Sequence, residues 1–139
     1  MALSAPLKGG CACGKVRYEA ASAPLFGGLC CCRACQRSTG TGYNAVAGVP
    51  AAALQVTQGE PRYYETAADS GGMMRRAFCA DCGSPLFAVP ANAPIASIVV
   101  GSLDEPAGYE PGVVVFAECA LPWVSLPEGI TKFPKMPPR

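Results

Sequence analysis

The sequence contains no histidine, the residue most often used as a general base or metal ligand near neutral pH. Any zinc site must therefore be built from thiolates or carboxylates. Proton transfer would have to use water, a carboxylate or a spare thiol, and the sequence does not choose among them. The sequence also lacks an excess of either positive or negative charge. The net charge is +1 and no basic run is present, which disfavours a nucleic-acid-binding surface.

Long hydrophobic runs are also absent. No segment approaches the length needed to span a membrane, and residues 1–10 lack the apolar core of a signal peptide. We expect a soluble, cytoplasmic protein that binds neither nucleic acid nor membrane. In that reducing compartment, 9 cysteines are better explained by metal binding than by disulfides.

Turn-forming residues are abundant, with 16 glycines and 14 prolines among 139 residues. They separate short apolar segments, and no long amphipathic helix is evident, so the pattern predicts an all-β fold with short helices. The best helical segment is 33–39, ended by Gly40. Residues 20–28 resemble a loop. Strands are expected at 15–19, 43–49, 54–57, 62–66, 73–78, 86–89, 95–103 and 113–118.

Two cysteine pairs far apart in the sequence share a local pattern, in which glycine follows the second cysteine. The pairs are Cys11 with Cys13 and Cys79 with Cys82. Glycine adopts positive φ at little cost, and such a turn can aim backbone N–H groups at sulfur. Together the four thiolates predict a structural zinc site. The alternatives are buried apolar cysteines or a redox C-x-x-C, but the redox motif normally needs a βαβ context that is missing here.

The densest group of cysteines lies at residues 30–35, with four thiols in six positions. Cys32 and Cys35 form a C-x-x-C that enters the predicted helix. Cys30 falls on the same face as Cys32 in an extended chain, whereas Cys31 points the other way. Three thiols therefore converge. Three protein ligands leave the fourth position of a tetrahedral zinc open, as in a reactive site.

Three motifs, taken in order, resemble the glutathione-dependent formaldehyde-activating enzyme family, which includes centromere protein V-like domains. They are GCACGKVRY at 10–18, CCCRACQRSTG at 30–40 and FCADCGSPL at 78–86, followed by Pro122 and Trp123. The similarity runs from Gly9 to Pro134. We therefore expect residues 1–139 to form a single zinc-binding domain of this family, with its core over about 9–134.

The resemblance implies an Mss4-like fold with two zinc ions per chain. By motif position, Cys11, Cys13, Cys79 and Cys82 match the structural ligands, and Cys30, Cys32 and Cys35 match the catalytic ligands. Many members have histidine where this chain has Cys31. The implied reaction joins formaldehyde to glutathione through a carbon–sulfur bond, giving S-hydroxymethylglutathione, and is classified as that of a lyase.

Two other functions fit the same residues: a non-catalytic zinc scaffold for protein contact, and a thiol redox switch at residues 30–35. The three-thiol site favours an enzyme, because a scaffold needs only the four-thiol zinc. Arginine can bind the carboxylates of a glutathione-like substrate. Arg33, between two predicted ligands, is preferred to Arg37, Arg75 and Arg76. Cys119 is expected to be an inert strand thiol, and the oligomeric state is not specified.

Overall fold

In a computed structural model that describes residues 2–67, 71–91 and 93–137, the chain forms two β-sheets and one short α-helix. The all-β prediction is confirmed. The strands are β1 (Leu7–Gly10), β2 (Arg17–Ala20), β3 (Phe26–Cys30), β4 (Asn44–Pro50), β5 (Leu54–Gln58), β6 (Arg62–Ala67), β7 (Met73–Phe78), β8 (Pro85–Pro90), β9 (Ile95–Val99), β10 (Val113–Val115) and β11 (Thr131–Lys132). The helix, α1, spans Arg33–Thr39, and single 3₁₀ turns cover Ala51–Ala53, Val100–Ser102, Pro106–Gly108 and Ala117–Cys119.

The strands are divided between a small and a large sheet. The small sheet is antiparallel with the order β1-β2-β5, and the large sheet has the order β11-β10-β3-β4-β9-β8-β7-β6. Within the large sheet β10 lies parallel to both β3 and β11, and the other neighbouring strands are antiparallel. The last residue of β3 is Cys30, so this sheet places the cysteine-rich segment directly at a strand end.

The main hydrophobic core is built by side chains from both sheets. Tyr18 of β2 is 1% exposed, and its ring meets Phe87 of β8 edge-on at 5.7 Å between centroids. Its hydroxyl lies 2.5 Å from the Ser102 Oγ, so the buried phenol is hydrogen-bonded. The alternation expected for this strand is present: Tyr18 and Ala20 are buried, and Arg17 and Glu19 are half-buried.

Three sequence expectations are wrong in extent. The segment expected as a loop at 20–28 contains the start of β3, whose Phe26 ring lies over Gly48 of β4 in space that a Cβ would fill. The segments 95–103 and 113–118 leave the strand conformation at Val99 and Val115 and continue as 3₁₀ turns. Cys119 lies in such a turn, so it is not a strand thiol.

The apolar segments are used in strands and not in long helices. Within the described ranges, no helix is long and apolar enough to cross a membrane.

Candidate metal centres

The two glycine-followed cysteine pairs come together in the fold, and we call them the four-thiol cluster. The Sγ atoms of Cys11, Cys13, Cys79 and Cys82 all lie within 4.8 Å of one another. The separation is 3.6 Å between Cys11 and Cys13 and 3.7 Å between Cys13 and Cys79. Tetrahedral zinc with Zn–S bonds of about 2.3 Å holds its sulfurs about 3.8 Å apart. The geometry therefore fits a four-thiolate metal site.

Each pair is shaped by the same kind of turn. The glycine N–H donates to the carbonyl of the first cysteine, from Gly14 to Cys11 at 3.1 Å and from Gly83 to Cys79 at 2.8 Å. Both glycines have positive φ, 81° and 78°, as the sequence predicts. The turn brings two sulfurs to one side within three or four residues.

Hydrogen bonds to sulfur favour the thiolate form in this cluster. The Val16 N–H donates to the Cys11 Sγ at 3.2 Å, and the Ser84 Oγ lies 3.2 Å from the Cys82 Sγ. The side chain and backbone of Ser84 lower the pKa of Cys82 to about 5. The same hydroxyl accepts the Ala12 N–H at 2.9 Å, which ties the two turns together. These contacts prepare the cluster for a cation.

A second group, the three-thiol cluster, forms where β3 enters α1. The Sγ atoms of Cys30, Cys32 and Cys35 lie within 4.8 Å of one another. Cys32 is the N-cap of α1, with extended dihedrals (φ −62°, ψ 156°), and its Sγ accepts the Cys35 N–H at 3.3 Å. Sulfur thus takes the capping role usually filled by a side-chain oxygen. The helix ends at Gly40, which has a φ of 76°.

Cys31 is held apart from these three thiols. Its side chain is 0% exposed and packs with Leu29 and Val114 in a second, smaller core. Burial raises the pKa of the Cys31 thiol, which disfavours its use as a thiolate. The alternation of an extended chain therefore sends Cys30 and Cys31 to opposite sides.

The three close thiols change one another's acidity. Contacts with Cys30 and Cys35, together with the Cys35 backbone N–H, lower the pKa of Cys32 to about 2. The contacts with Cys32 and Cys35 raise the pKa of Cys30. One thiolate is thus readily accommodated, and further ionisation calls for a cation. A donor set of three sulfurs fits a thiophilic metal such as zinc and leaves one tetrahedral position for another ligand.

Gln36 fixes the start of helix α1, although no pattern in the sequence indicates this role. The side chain is 5% exposed, and its Nε2 donates to the carbonyls of Cys31 at 2.9 Å and Cys119 at 3.1 Å. Its Oε1 accepts a hydrogen bond from Arg33. These bonds join α1 to the strand end and to the 3₁₀ turn at Ala117–Cys119. They hold the backbone that presents Cys32 and Cys35.

The four candidate arginines have different surroundings. Arg33 is exposed and bonds to Gln36, and Arg37 is exposed as well. Arg75 pairs with Glu65 at 3.2 Å. Arg76 alone among the four places its guanidinium at the three-thiol cluster, with two nitrogens 3.8 and 3.9 Å from the Cys35 Sγ. No sequence signal joins residues 35 and 76, because sheet topology creates the contact.

A cavity of about 530 Å³ opens next to the end of α1. It is lined by side chains that can bury apolar groups and by several hydroxyl groups. Trp123 forms part of the cavity wall and is 74% exposed. Tyr43, in the segment before β4, also lines the cavity. The full lining is Thr39, Thr41, Gly42, Tyr43, Asn44, Ala45, Val99, Gly101, Trp123, Val124 and Ser125.

Comparison with known proteins agrees with this geometry. The family model described as glutathione-dependent formaldehyde-activating enzyme matches residues 6–119. The chain belongs to this family. The matched range contains all seven cysteines of the two clusters, whereas Trp123 lies beyond it.

A solved structure supports the fold of this family member. The crystal structure of a Rhodobacter sphaeroides protein is similar with a TM-score of 0.57 and 23% identity. The alignment covers 75% of this chain and 91% of that protein. Among curated proteins, none gives a significant match.

In this member of the glutathione-dependent formaldehyde-activating enzyme family, Arg76 should help the three-thiol cluster to retain its metal. Its positive charge compensates the sulfurs of the three-thiol cluster, so Arg76→Gln should weaken metal binding there by roughly 10–100-fold. The four-thiol cluster should keep its metal. Competition with a chromogenic chelator, followed as metal released per chain, measures both sites.

The matched control is Arg75→Gln, which removes the neighbouring charge from a residue paired with Glu65. It should leave the release profile unchanged. If the two variants lose metal equally, the effect is one of net charge and not of the contact with Cys35.

Proposed function

We propose that this protein is a zinc-dependent carbon–sulfur lyase that acts on a small thiol–aldehyde adduct, with S-hydroxymethylglutathione as the best candidate. Zinc would occupy both clusters, giving two ions per chain, and the protein would work in a reducing, cytoplasmic compartment. The partner is a small thiol, and neither nucleic acid nor membrane is involved. Membership of the glutathione-dependent formaldehyde-activating enzyme family supports the proposal.

The observation that carries the proposal is a second metal cluster with three sulfurs and not four. A closed, four-ligand site suits a structural metal, whereas three protein ligands leave a position for substrate. A scaffold would be complete with the four-thiol cluster alone. When bound at the three-thiol cluster, zinc would favour the deprotonated form of the substrate thiol.

The reaction makes one carbon–sulfur bond and needs no oxidant. The thiol releases its proton to water, the resulting thiolate adds to the carbonyl carbon, the π pair moves to oxygen, and that oxygen takes a proton back from water, so that no net acid or base is consumed. The chain supplies no imidazole for this proton transfer. Its residues instead position the reactants. Arg76 places positive charge at the cluster, and the cavity holding Tyr43 and Trp123 offers space for the remainder of the thiol.

The test combines metal analysis with a rate measurement on the same preparation. Protein purified anaerobically without chelator should contain two zincs per chain. It should accelerate adduct formation between glutathione and formaldehyde above the uncatalysed rate, measured by exchange NMR. Treatment with chelator until one zinc remains should remove the acceleration while the fold persists.

Two results would contradict the lyase assignment. Two zincs without any acceleration, over a panel of thiols and small aldehydes, would favour the non-catalytic scaffold. One zinc, with reversible disulfide formation among Cys30, Cys32 and Cys35, would favour the redox switch.

A further inference from the structure

Asn44 is a buried amide beside the three-thiol cluster. It is the first residue of β4, and its antiparallel partner on β3 is Cys30. Directly opposed residues project from the same face of a sheet, with Cβ atoms about 5 Å apart. The Asn44 side chain therefore lies on the side of the sheet to which Cys30 sends its sulfur.

The amide oxygen of Asn44 has no partner in the described part of the protein. The side chain is 5% exposed, yet its Oδ1 accepts no hydrogen bond from any described residue. Buried side-chain oxygens are nearly always paired, because an unpaired one has lost its hydrogen bonds to water at a free-energy cost that nothing offsets. A leucine of similar size would avoid this cost. The amide is therefore a candidate for pairing with a ligand.

Asn44 also lines the cavity that contains Tyr43, Trp123 and Ser125. Its place in the cavity lining and its pairing with Cys30 make it adjacent both to this cavity and to a residue of the three-thiol cluster. A thiol–aldehyde adduct has the sequence S–C–O–H, so its hydroxyl lies two bonds from its sulfur. A sulfur held at the cluster brings that hydroxyl towards the side chains around it, and the side chain opposite Cys30 on the same face of the sheet is that of Asn44.

We propose that Asn44 is the specificity residue that accepts the hydroxyl of the adduct. This inference rests on the proposed function. A thiol or thioether without a nearby hydroxyl leaves the Oδ1 unpaired, whereas the adduct satisfies it. Sites built to pair a substrate hydroxyl discriminate strongly against analogues that lack it.

The test uses cobalt-loaded protein and two stable thiols of equal size, 2-mercaptoethanol and propane-1-thiol. The hydroxyl oxygen of 2-mercaptoethanol lies three bonds from its sulfur, one more than in the adduct, and rotation about its C–C bond allows the hydroxyl to reach the same side chain. Both should bind at the three-thiol cluster and change its sulfur-to-cobalt absorption bands. The ratio of their dissociation constants should shift by about tenfold against 2-mercaptoethanol in Asn44→Leu. Val99→Ala, a packing change in the same cavity, should keep the wild-type ratio.

A second measurement, of thermal stability, needs neither enzymatic turnover nor a bound thiol. Because Asn44→Leu removes an unpaired buried acceptor, its thermal midpoint without thiol should equal or exceed that of the wild type. An unchanged affinity ratio would overturn the inference, as would a variant that unfolds, since unfolding would mean that the amide has a partner within the protein. Adduct formation is followed separately. Acceleration with an unchanged ratio rejects the role of Asn44 alone, and a hydroxyl preference without acceleration rejects the lyase assignment alone.

Discussion

Cys79→Ser should abolish the cooperative thermal unfolding of this protein. Cys79 is 1% exposed, belongs to the main core and contributes a sulfur to the four-thiol cluster. Its sulfur lies 3.7 Å from that of Cys13, 66 residues away in sequence, so a metal here closes a long loop. Structural zinc supplies about 10–16 kcal/mol in small zinc domains, comparable to the whole stability of a typical domain. Losing one thiolate should therefore leave no folded state.

Circular dichroism melts and zinc content measure this outcome, with Cys119→Ser as the matched control. Cys119 is half-buried and belongs to neither cluster, so its substitution should leave two zincs and change stability by less than about 1 kcal/mol. Exhaustive chelation of the wild type should give the same unfolded signal as Cys79→Ser. A variant that melts cooperatively near the wild-type temperature, with its four-thiol metal lost, would show that this cluster does not hold the fold.

The features that the sequence predicts correctly are those that local geometry decides. Gly14 and Gly83 take positive φ because each follows the second cysteine of a tight turn. Helix α1 spans Arg33–Thr39, as predicted, because Gly40 can adopt the left-handed conformation that ends it. Cys30 and Cys31 diverge because neighbouring residues of an extended chain face opposite ways.

The features that the sequence does not predict depend on pairing between distant strands. Arg76 reaches Cys35 only because β7 and α1 meet in the folded chain. Asn44 becomes notable only once its register with Cys30 is known, since the expected strand at 43–49 does not by itself show which distant residue each of its side chains opposes. Strand β3 is not evident from the sequence because its two glycines remove the alternation of side chains. The Phe26 ring occupies the space over Gly48, and the Tyr109 ring lies close to Gly27.

Cys35→Ser should separate metal chemistry from folding. The Cys35 sulfur belongs to the three-thiol cluster, and Cys32, the N-cap of α1, is unchanged in the variant. The helix should therefore form and melting should stay cooperative, with the melting temperature lowered by about 4–12 °C, since a buried thiol becomes a smaller polar group at a cost of about 1–3 kcal/mol. Zinc content should drop from two per chain to one, and adduct formation should fall to the uncatalysed rate.

Cys31→Ala is the decisive control, because it removes the adjacent thiol while leaving the three-thiol cluster intact. Cys31 packs against Leu29 and Val114, so its loss should lower the melting temperature through a small cavity and retain both zincs and the activity. The two variants thus predict opposite outcomes for the second metal and for the activity, which Cys35→Ser loses and Cys31→Ala keeps, whereas both should still melt cooperatively. If Cys35→Ser unfolds, or if Cys31→Ala loses a zinc, the division of labour between the two clusters is wrong. The open coordination position would then have to be sought among a different set of thiols.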